Sequence, residues 1–301
     1  MRFVVRSRIP AEQCALWKGK HAEQGHYDIV VYGNAEVYGP DGKLLICVLR
    51  GAVSREVADE CYPTYHWLKQ FESDNRATYA GYKAGKMVLQ DGTISKSGRA
   101  LDENGNRVKV SSVIGGYFEP QGGRNPFCRP AHITRKYPEE WSKMLPLLRE
   151  CAKHYRINAP LRYKKHKSCV DKTHPSWVIP GTPFSSVTIN NTVAAAYHKD
   201  GGDLKSGMGC MYVFRRGEYD GFELVIPEYR IAVNMRDNDL LLFDPRVWHG
   251  NIKPYNTVGQ EKEDWERISV VMYFREGLMG RKSPEEEHRI AKERGLLDLS
   301  D

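Results

Sequence analysis

The chain of 301 residues is 41% hydrophobic and carries a formal net charge of +7. It is long enough to bury a sizeable core, either as one large domain or as a core domain with an N-terminal elaboration. The positive charge favours a polyanionic partner, although a basic enzyme without such a partner is equally compatible with it.

The cysteine and apolar patterns exclude several classes of protein. The seven cysteines are odd in number, widely spaced and form no Cys-x-x-Cys pair, which argues against a zinc site and a disulfide framework. The apolar run at the N-terminus is too short for a signal peptide, and no apolar stretch approaches the length of about 18 residues that a membrane span needs. We therefore expect a protein of a reducing cytoplasm with no membrane partner.

The N-terminal part of the chain predicts a hairpin followed by a helix. Residues 27–38 and 43–50 are strand-like and flank the turn sequence Gly-Pro-Asp-Gly at 39–42, as in a hairpin. Ser54 then caps a helical segment whose apolar residues include Val57, Cys61 and Phe71. Pro63 is expected to interrupt this helix.

Residues 76–129 follow a looser pattern, in which glycine and charge dominate 81–86 and 95–99. We expect this part either to be a solvated connection or to line a nucleic-acid groove, where backbone amides and lysines contact phosphates. Farther along, Pro138, an acidic first turn and an apolar face through residue 152 predict a helix that braces the core. The basic cluster at 162–167 favours either a solvated loop or contact with a nucleic-acid backbone.

Short strands dominate the next part of the chain. They are predicted at 186–197, 210–215, 222–226, 230–235, 239–243 and 267–275, with turn residues between them. Many short strands without intervening helices indicate an all-β sandwich or jelly roll for this segment. A serine cap, an acidic first turn, a basic last turn and a glycine stop predict a C-terminal helix at 283–295 that packs outside it.

Three residues at the ends of these strands have the types and order of an iron centre. His198 and Asp200 close one strand-like run, and His249 follows another about 50 residues later. Two imidazoles and one carboxylate can occupy one face of an octahedral Fe(II), which leaves three sites open. A lone His-x-Asp is more often a surface loop, and a lone histidine beside a tryptophan is more often a core residue. The order, spacing and strand context together favour the metal site.

Arg267 begins the last strand of this segment. Strand alternation places Arg267, Ser269, Val271, Tyr273 and Arg275 on one face. A guanidinium with a hydroxyl two residues on can hold a carboxylate in two hydrogen bonds at the bottom of a barrel. The alternative is a buried structural ion pair. Together with the three metal ligands, the order indicates a 2-oxoglutarate-dependent oxygenase.

Six motifs in this part resemble the TET/JBP family of nucleic-acid 5-methylpyrimidine dioxygenases. They are Phe-Ser-Ser-Val-Thr at 184–188, His-Lys-Asp at 198–200, Gly-Phe-Glu-Leu-Val-Ile-Pro-Glu-Tyr at 221–229, Asp-Leu-Leu-Leu-Phe-Asp at 239–244, His-Gly-Asn at 249–251 and Arg-Ile-Ser at 267–269. The resemblance covers residues 184–275 well and the N-terminal half only loosely. The chain lacks the cysteine-rich zinc module and long insert of the animal enzymes, and it is similar to the compact form of phages and protists. A phage protein would act in the cytoplasm of its host.

The resemblance implies an α+β fold with a double-stranded β-helix (jelly-roll) core, bracing helices and an N-terminal hairpin and helix elaboration. The whole chain is then one catalytic domain, with an N-terminal elaboration at 1–183, the core at 184–275 and a C-terminal helix at 276–301. It further implies O₂ as a reactant, Fe(II) held by His198, Asp200 and His249, and 2-oxoglutarate anchored by Arg267 with help from Ser269. The oligomeric state stays open, with a monomer favoured. Cys128-Arg129 is similar to an upstream Cys-Arg element of the family, whose arginine contacts the other end of 2-oxoglutarate.

The resemblance also implies a pocket for one flipped base of DNA, since a methyl group within the helix cannot reach a barrel-centre iron. Tyr273 is similar to the aromatic residue that stacks on the base, and Thr188 to its packing neighbour, although either residue could serve ordinary barrel packing. Asp203 occupies the position of a hydrogen-bond acceptor and Arg275 that of a donor. Asp203 could also be only a turn residue after Gly201-Gly202.

An acceptor and a donor fit the edge of cytosine, whereas the O4 acceptor of thymine would face an ionised Asp203. Two facing acceptors would cost about 1 to 3 kcal/mol. We therefore expect hydroxylation of 5-methylcytosine in DNA to 5-hydroxymethylcytosine, with further oxidation to the formyl and carboxyl forms open. The alternatives are a thymine hydroxylase that yields 5-hydroxymethyluracil and a reader of modified bases without turnover. An intact triad with Arg267 argues against the reader.

Overall fold

The computed structural model describes residues 1–86, 94, 98–121, 125–255 and 265–295. The prediction for the basic stretch at 95–97 lies outside these residues. The described strands are β1 (Arg2–Val4), β2 (Ile29–Val31), β3 (Ala35–Tyr38), β4 (Leu44–Leu49), β5 (Glu72–Ser73), β6 (Lys83–Gly85), β7 (Arg99–Leu101), β8 (Val110–Phe118), β9 (Arg129–Pro130), β10 (Ser186–Asn191), β11 (Gly209–Arg216), β12 (Leu224–Ile226), β13 (Ile231–Val233), β14 (Asp239–Phe243), β15 (Gly250–Asn251) and β16 (Glu266–Tyr273). The described helices are α1 (Ala11–Ala15), α2 (Arg55–Trp67), α3 (Asp74–Ala77), α4 (His132–Lys136), α5 (Pro138–Asn158), α6 (Pro160–Val170) and α7 (Pro284–Glu293).

Two sheets form the centre of the fold. The major sheet has the order β1-β3-β4-β14-β11-β16-β10-β8-β5, with β9 paired to β8, and the minor sheet has the order β15-β12-β13-β2. In the major sheet the central pairs are antiparallel: β14 with β11, β11 with β16 and β16 with β10. Strands that are adjacent in the sheet are therefore far apart in the chain, as expected of the predicted double-stranded β-helix.

Strand alternation divides the core into two layers. Met211, Val213 and Val271 point to the minor sheet, where they pack with Leu224 and Ile226. The alternate side chains of the same strands point to the opposite face, which α2 and α5 cover; these residues are Cys210, Tyr212, Phe214, Ile268, Val270 and Met272. The inner face thus encloses a space between the sheets, and the helices seal the outer face.

The two bracing helices agree with prediction at their starts. Ser54 accepts a hydrogen bond from the Val57 amide at 3.3 Å, and Pro138 occupies the first turn of α5. The predicted interruption at Pro63 is wrong, because α2 continues to Trp67. The carbonyl that Pro63 leaves without a donor belongs to Asp59, which is exposed, so solvent can bind it.

Three further expectations need correction. Residues 27–38 are not one strand, because β2 joins the minor sheet while β3 pairs with β4 in the hairpin. The loop expected at 76–129 contains β8, which pairs with β10 over five residues. The basic cluster at 162–167 lies on helix α6, with His166 buried, and is not a loop.

The C-terminal helix is confirmed, since Ser283 accepts from the Glu286 amide. No helix in the described ranges is long and apolar enough to cross a membrane.

Gly116 is a position where the sheet tolerates no side chain. Its φ is +87°, and an added Cβ would lie 2.2 Å from the Ser185 carbonyl oxygen. We expect Gly116→Ala to lower the free energy of unfolding by about 2 kcal/mol or more, measured by urea denaturation. Gly105→Ala is the control, because Gly105 also has a positive φ of +80° but nothing lies within 4 Å. Equal effects of the two substitutions would show that the close approach of the strands is unimportant.

Candidate active site

The first feature of the site is a backbone contact between two loops. His198 lies beyond β10, and His249 directly precedes β15. The His198 amide donates to the His249 carbonyl at 3.0 Å, and the His249 amide donates back at 3.1 Å. This reciprocal pair fixes the two residues side by side, with ring centroids 4.4 Å apart.

The orientation of the two imidazoles leaves one nitrogen of each free. Nδ1 of His198 lies 2.8 Å from the Ala196 carbonyl, and Nδ1 of His249 lies 2.9 Å from the Val247 carbonyl. A carbonyl can only accept, so each Nδ1 carries a proton, and each neutral imidazole presents the lone pair of its Nε2. Both Nε2 atoms face Asp200, at 3.4 and 3.5 Å from its carboxylate oxygens. All ligand atoms lie within 4.8 Å of one another, which suits a single metal ion.

The electrostatics of the cluster also suit a cation. Burial and then the neighbouring His198 lower the pKa of His249 to about 4, so this imidazole is neutral. Burial also disfavours the charged form of His198, but the hydrogen bond and charge of Asp200 outweigh it and raise the pKa of His198. Burial opposes ionisation of Asp200, yet the His198 hydrogen bond and the two histidines lower its pKa. A carboxylate and two imidazoles therefore share a small space that a divalent ion would complete.

Arg267 supplies the second feature of the site. It is 2% exposed, and its Nε and Nη2 are buried without a hydrogen-bond partner in the described part of the chain. Its Cζ lies 5.0 Å from the centroid of the Phe222 ring, and burial lowers its pKa. No ion pair within the described residues satisfies this guanidinium, which is contrary to the structural alternative. A buried guanidinium without an anion is costly, so the site lacks an anionic ligand.

A cavity joins the metal cluster to the rest of the strand face. Ser269 is the next residue on that face after Arg267. It is buried, and its hydroxyl accepts a hydrogen bond from the side-chain Nδ2 of Asn190 at 3.3 Å. The side chains that surround the cavity come from both sheets and the loops between them. They are Arg76, Tyr79, Thr188, Asn190, Val193, Ala195, His198, Asp200, Gly201, Gly202, Asp203, Met211, Leu224, Phe243, His249, Asn251, Ser269, Val271, Tyr273 and Arg275.

The outer end of the cavity contains the four residues predicted for a base pocket. The Thr188 and Tyr273 hydroxyls lie 3.1 Å apart. Arg275 donates to Glu119 at 3.1 Å and to the Tyr273 hydroxyl at 3.3 Å, so the aromatic ring is held at the cavity wall. Asp203 pairs with Arg275 through the backbone. Burial raises the pKa of Asp203 well above its usual range, and the charge of Asp200 adds to this effect.

The structure does not bring Arg129 into the cavity. Strand β9 pairs with the end of β8, which places the Arg129 guanidinium 4.9 Å from the Phe118 ring centroid. Its Nη2 donates to Gln121 at 2.7 Å, and Arg129 is not among the cavity-lining residues described above. Its Nη1 is buried without a partner in the described part of the chain, and its contact with 2-oxoglutarate stays a prediction.

Arg76, which the motifs of the sequence did not indicate, lines the cavity. Arg76 donates from Nε to the Ser112 hydroxyl at 3.2 Å, and its Cζ lies 4.2 Å from the centroid of Tyr79. Tyr79 in turn packs edge-on against His198, with ring centroids 5.4 Å apart. The positive charge of Arg76 contributes to lowering the pKa of Asp200. Both residues come from the segment expected to be a loop, where no spacing signal marks them.

The fold and the cavity define the class of protein. A double-stranded β-helix that brings two histidines, a carboxylate and a buried arginine to one space is typical of Fe(II)- and 2-oxoglutarate-dependent oxygenases. Residues 113–276, more than half of the chain, match Tet_JBP, the oxygenase domain of the 2OGFeDO superfamily. The chain belongs to this family, as the motifs predicted, and its cofactors are Fe(II) and 2-oxoglutarate.

Several characterised proteins are similar to the chain. Thymine dioxygenase JBP1 of Trypanosoma brucei brucei is 32% identical over 187 residues, which are 62% of this chain and 22% of that protein. The bifunctional helicase and thymine dioxygenase JBP2 of Leishmania tarentolae is 31% identical over 197 residues, 65% of this chain and 17% of that protein. The chain thus spans about a fifth of the length of these relatives.

A solved structure of NgTET1 in complex with 5mC DNA shares the fold of the chain. The alignment covers 88% of this chain and 86% of that one, with a TM-score of 0.55 and 13% sequence identity. At this identity the similarity concerns the architecture. It extends well beyond residues 184–275, so the N-terminal elements belong to the same fold.

Proposed function

We propose that this oxygenase oxidises the 5-methyl group of a pyrimidine base in DNA, with thymine as the first candidate substrate and 5-methylcytosine as the second. The observation that carries the proposal is one cavity that contains the metal cluster and Tyr273, with the unpaired buried guanidinium of Arg267 two residues before the cavity-lining Ser269 on the same strand face. The names of the relatives, both thymine dioxygenases, support the substrate class.

The inner half of the cavity fits the two cofactors. His198, Asp200 and His249 would hold Fe(II) through Nε2, a carboxylate oxygen and Nε2. Arg267 and Ser269 would hold the distal carboxylate of 2-oxoglutarate, which would satisfy the unpaired guanidinium nitrogens. When bound, the cofactors and O₂ supply the oxygen atom for a C–H bond and release succinate and CO₂.

The outer half of the cavity fits a planar base. Tyr273 offers a ring for stacking, and its hydroxyl is held by Thr188 and Arg275. Tyr273 is separated from Arg267 by six residues of one strand, about 20 Å at 3.3 Å per residue. The metal cluster opens into the cavity that Tyr273 lines. A base against Tyr273 would therefore direct its methyl group inwards to the cluster, while water is excluded by the buried walls.

Asp203 bears on the choice between the two bases. Its raised pKa favours a protonated carboxyl, which can donate a hydrogen bond to O4 of thymine. The expectation of 5-methylcytosine depended on an ionised acceptor, which would suit the 4-amino group of cytosine. The charge of Asp200 contributes to the raised pKa, and iron would offset that contribution. Thymine is therefore the first candidate, and the ionised form keeps 5-methylcytosine as the second.

A product assay tests the proposal. Purified protein would be incubated with Fe(II), 2-oxoglutarate and DNA that contains either thymine or 5-methylcytosine, and the DNA would then be digested for nucleoside mass spectrometry. We expect 5-hydroxymethyluracil from thymine together with one succinate per oxidation event. Product from 5-methylcytosine alone would reverse the order of the candidates. Succinate without either product would reject DNA methyl groups as the substrate.

The ratio of the two products should depend on pH. As pH rises through the raised pKa of Asp203, the carboxyl loses its proton and becomes an acceptor, so the thymine to 5-methylcytosine ratio should fall by about tenfold. Competition between the two substrates in one tube measures this ratio and cancels effects common to both. Asp203→Asn keeps the shape but cannot ionise, so its ratio should be independent of pH. A pH-dependent ratio in the variant would exclude Asp203 as the cause.

A further inference from the structure

Tyr219 has a buried hydroxyl that the mechanism above does not use. The residue is 4% exposed, and its Oη is buried without a hydrogen-bond partner among the residues that the structure describes. Other buried tyrosines differ: the Tyr65 hydroxyl donates to the Met144 carbonyl at 3.2 Å, and the Tyr212 hydroxyl to Oδ1 of Asn238 at 3.0 Å. A buried hydroxyl without a partner is unfavourable, so a ligand that accepts its hydrogen bond would stabilise it.

Tyr219 and Arg267 pack against the same aromatic ring. The Phe222 ring joins the two residues, since its centroid is 5.5 Å from that of Tyr219 and 5.0 Å from Cζ of Arg267. The two groups also act on each other electrostatically. Burial raises the pKa of Tyr219 and the Arg267 charge opposes this, so the hydroxyl keeps its proton and is a donor. Three unpaired buried polar atoms, Oη of Tyr219 with Nε and Nη2 of Arg267, thus belong to one neighbourhood.

The surroundings of Tyr219 hold its ring in place. Cζ of Arg215 lies 4.0 Å from the Tyr219 ring centroid, and the Trp265 ring packs at 4.9 Å on centroids. Phe222 adopts a φ of +61°, and Thr192, whose hydroxyl accepts from the Arg267 amide at 3.4 Å, has a φ of +55°. Such values are costly for residues with a Cβ and are typical of functional sites. The backbone around Arg267 therefore has conformations that are typical of a functional site.

Glu223, the acidic group of this neighbourhood, makes no hydrogen bond to Tyr219 or Arg267 in the described ranges. Glu223 accepts from the Asn234 amide nitrogen at 3.1 Å through Oε1. Its other oxygen, Oε2, has no hydrogen-bond partner in the described ranges, so it does not satisfy Arg267 or Tyr219. A carboxylate supplied by a ligand would satisfy both donors.

We propose that Tyr219 is a further donor to the distal carboxylate of 2-oxoglutarate, beside Arg267 and Ser269, and that with Arg267 it makes the site specific for a dicarboxylic 2-oxo acid. This inference rests on the proposed function, in which 2-oxoglutarate occupies the inner cavity. One oxygen of the carboxylate faces the guanidinium and the other accepts from the phenol. Tyr219 is a positioning and specificity residue, because it contacts the cosubstrate far from the reacting atoms.

Direct binding to the Tyr219→Phe variant tests this assignment. Full-length wild type and variant, loaded with Mn(II) without O₂, would be titrated with 2-oxoglutarate and with 2-oxopentanoate, which lacks the distal carboxylate. A hydrogen bond from a neutral donor to a carboxylate predicts about a tenfold rise in the Kd of the variant for 2-oxoglutarate. The Kd for 2-oxopentanoate should be weak and equal in both proteins, and the Kd for Mn(II) alone should not change.

A matched variant separates this role from a structural one. Tyr212→Phe removes a buried hydroxyl that has a partner, so it should lower the midpoint of thermal unfolding without changing the Kd for 2-oxoglutarate. Tyr219→Phe should leave the unfolding midpoint of the ligand-free protein unchanged or raise it. Equal affinities of wild type and Tyr219→Phe for 2-oxoglutarate would overturn the inference. Failure of the wild type itself to bind 2-oxoglutarate would instead overturn the proposed function.

Discussion

Substitution of Asp200 by alanine should abolish both iron binding and base oxidation. Asp200 faces both Nε2 atoms and supplies the negative charge of the cluster. Two neutral imidazoles bind a divalent ion far more weakly than two imidazoles with a carboxylate. We expect product formation to fall by about a thousandfold or more. Iron content after dialysis against a limiting chelator and product yield by mass spectrometry measure the two effects.

The Asp200→Ala experiment needs a control for general loss of an acidic residue. Asp171 is suitable, because it is an exposed residue that pairs with Lys167 on helix α6. Asp171→Ala should retain iron and full activity. Iron retention by Asp200→Ala, or oxidation at the wild-type rate, would reject the three-ligand centre.

Arg267→Met should have the second largest effect. It should weaken the binding of 2-oxoglutarate but stabilise the ligand-free protein. Loss of the guanidinium should raise the Kd for 2-oxoglutarate by about a hundredfold, because a charge-assisted pair of hydrogen bonds is lost. The same change removes a buried charge that has no partner in the described structure. The free energy of unfolding without ligand should therefore rise by about 1 to 3 kcal/mol. Titration calorimetry and urea unfolding measure the two quantities.

Arg267→Lys is the matched variant for this experiment. It keeps the charge and loses the planar pair of donors, so its affinity for 2-oxoglutarate should lie between those of wild type and Arg267→Met. Strong destabilisation of the ligand-free protein by Arg267→Met would support a structural ion pair. In that case the carboxylate site would have to be elsewhere in the cavity.

The core of the fold was predictable because its signals are local. Strand β14 was predicted with its observed bounds, and β11 and β16 within about two residues, since alternation and turn residues mark them. Strand β8 was missed because its sequence contains serines and Gly115-Gly116, which lower strand propensity. The structure explains these glycines by close packing. A Cβ on Gly115 would lie 2.5 Å from the Trp141 ring.

The site also contains residues that the sequence could predict and residues that it could not. The metal cluster could be predicted because the types and order of its residues along the chain indicate it, and Arg267 because strand alternation assigns its face. Arg76 and Tyr79 could not, since they enter the cavity only through the contact of a short helix with the sheet. Tyr219 was also missed, because a loop tyrosine carries no sign of an unpaired hydroxyl. Asp203 was found by position, but its protonation depends on burial, which the sequence does not give.

The reciprocal backbone bonds between His198 and His249 bear on how the protein acquires and loses its metal. Since peptide groups, and not the ion, join the two loops, the apoprotein keeps its ligands in register, and loading requires little reordering of the chain. The amide protons of these two residues should therefore resist exchange with deuterium even after chelation. Iron would therefore dissociate without unfolding of the loops that carry its ligands.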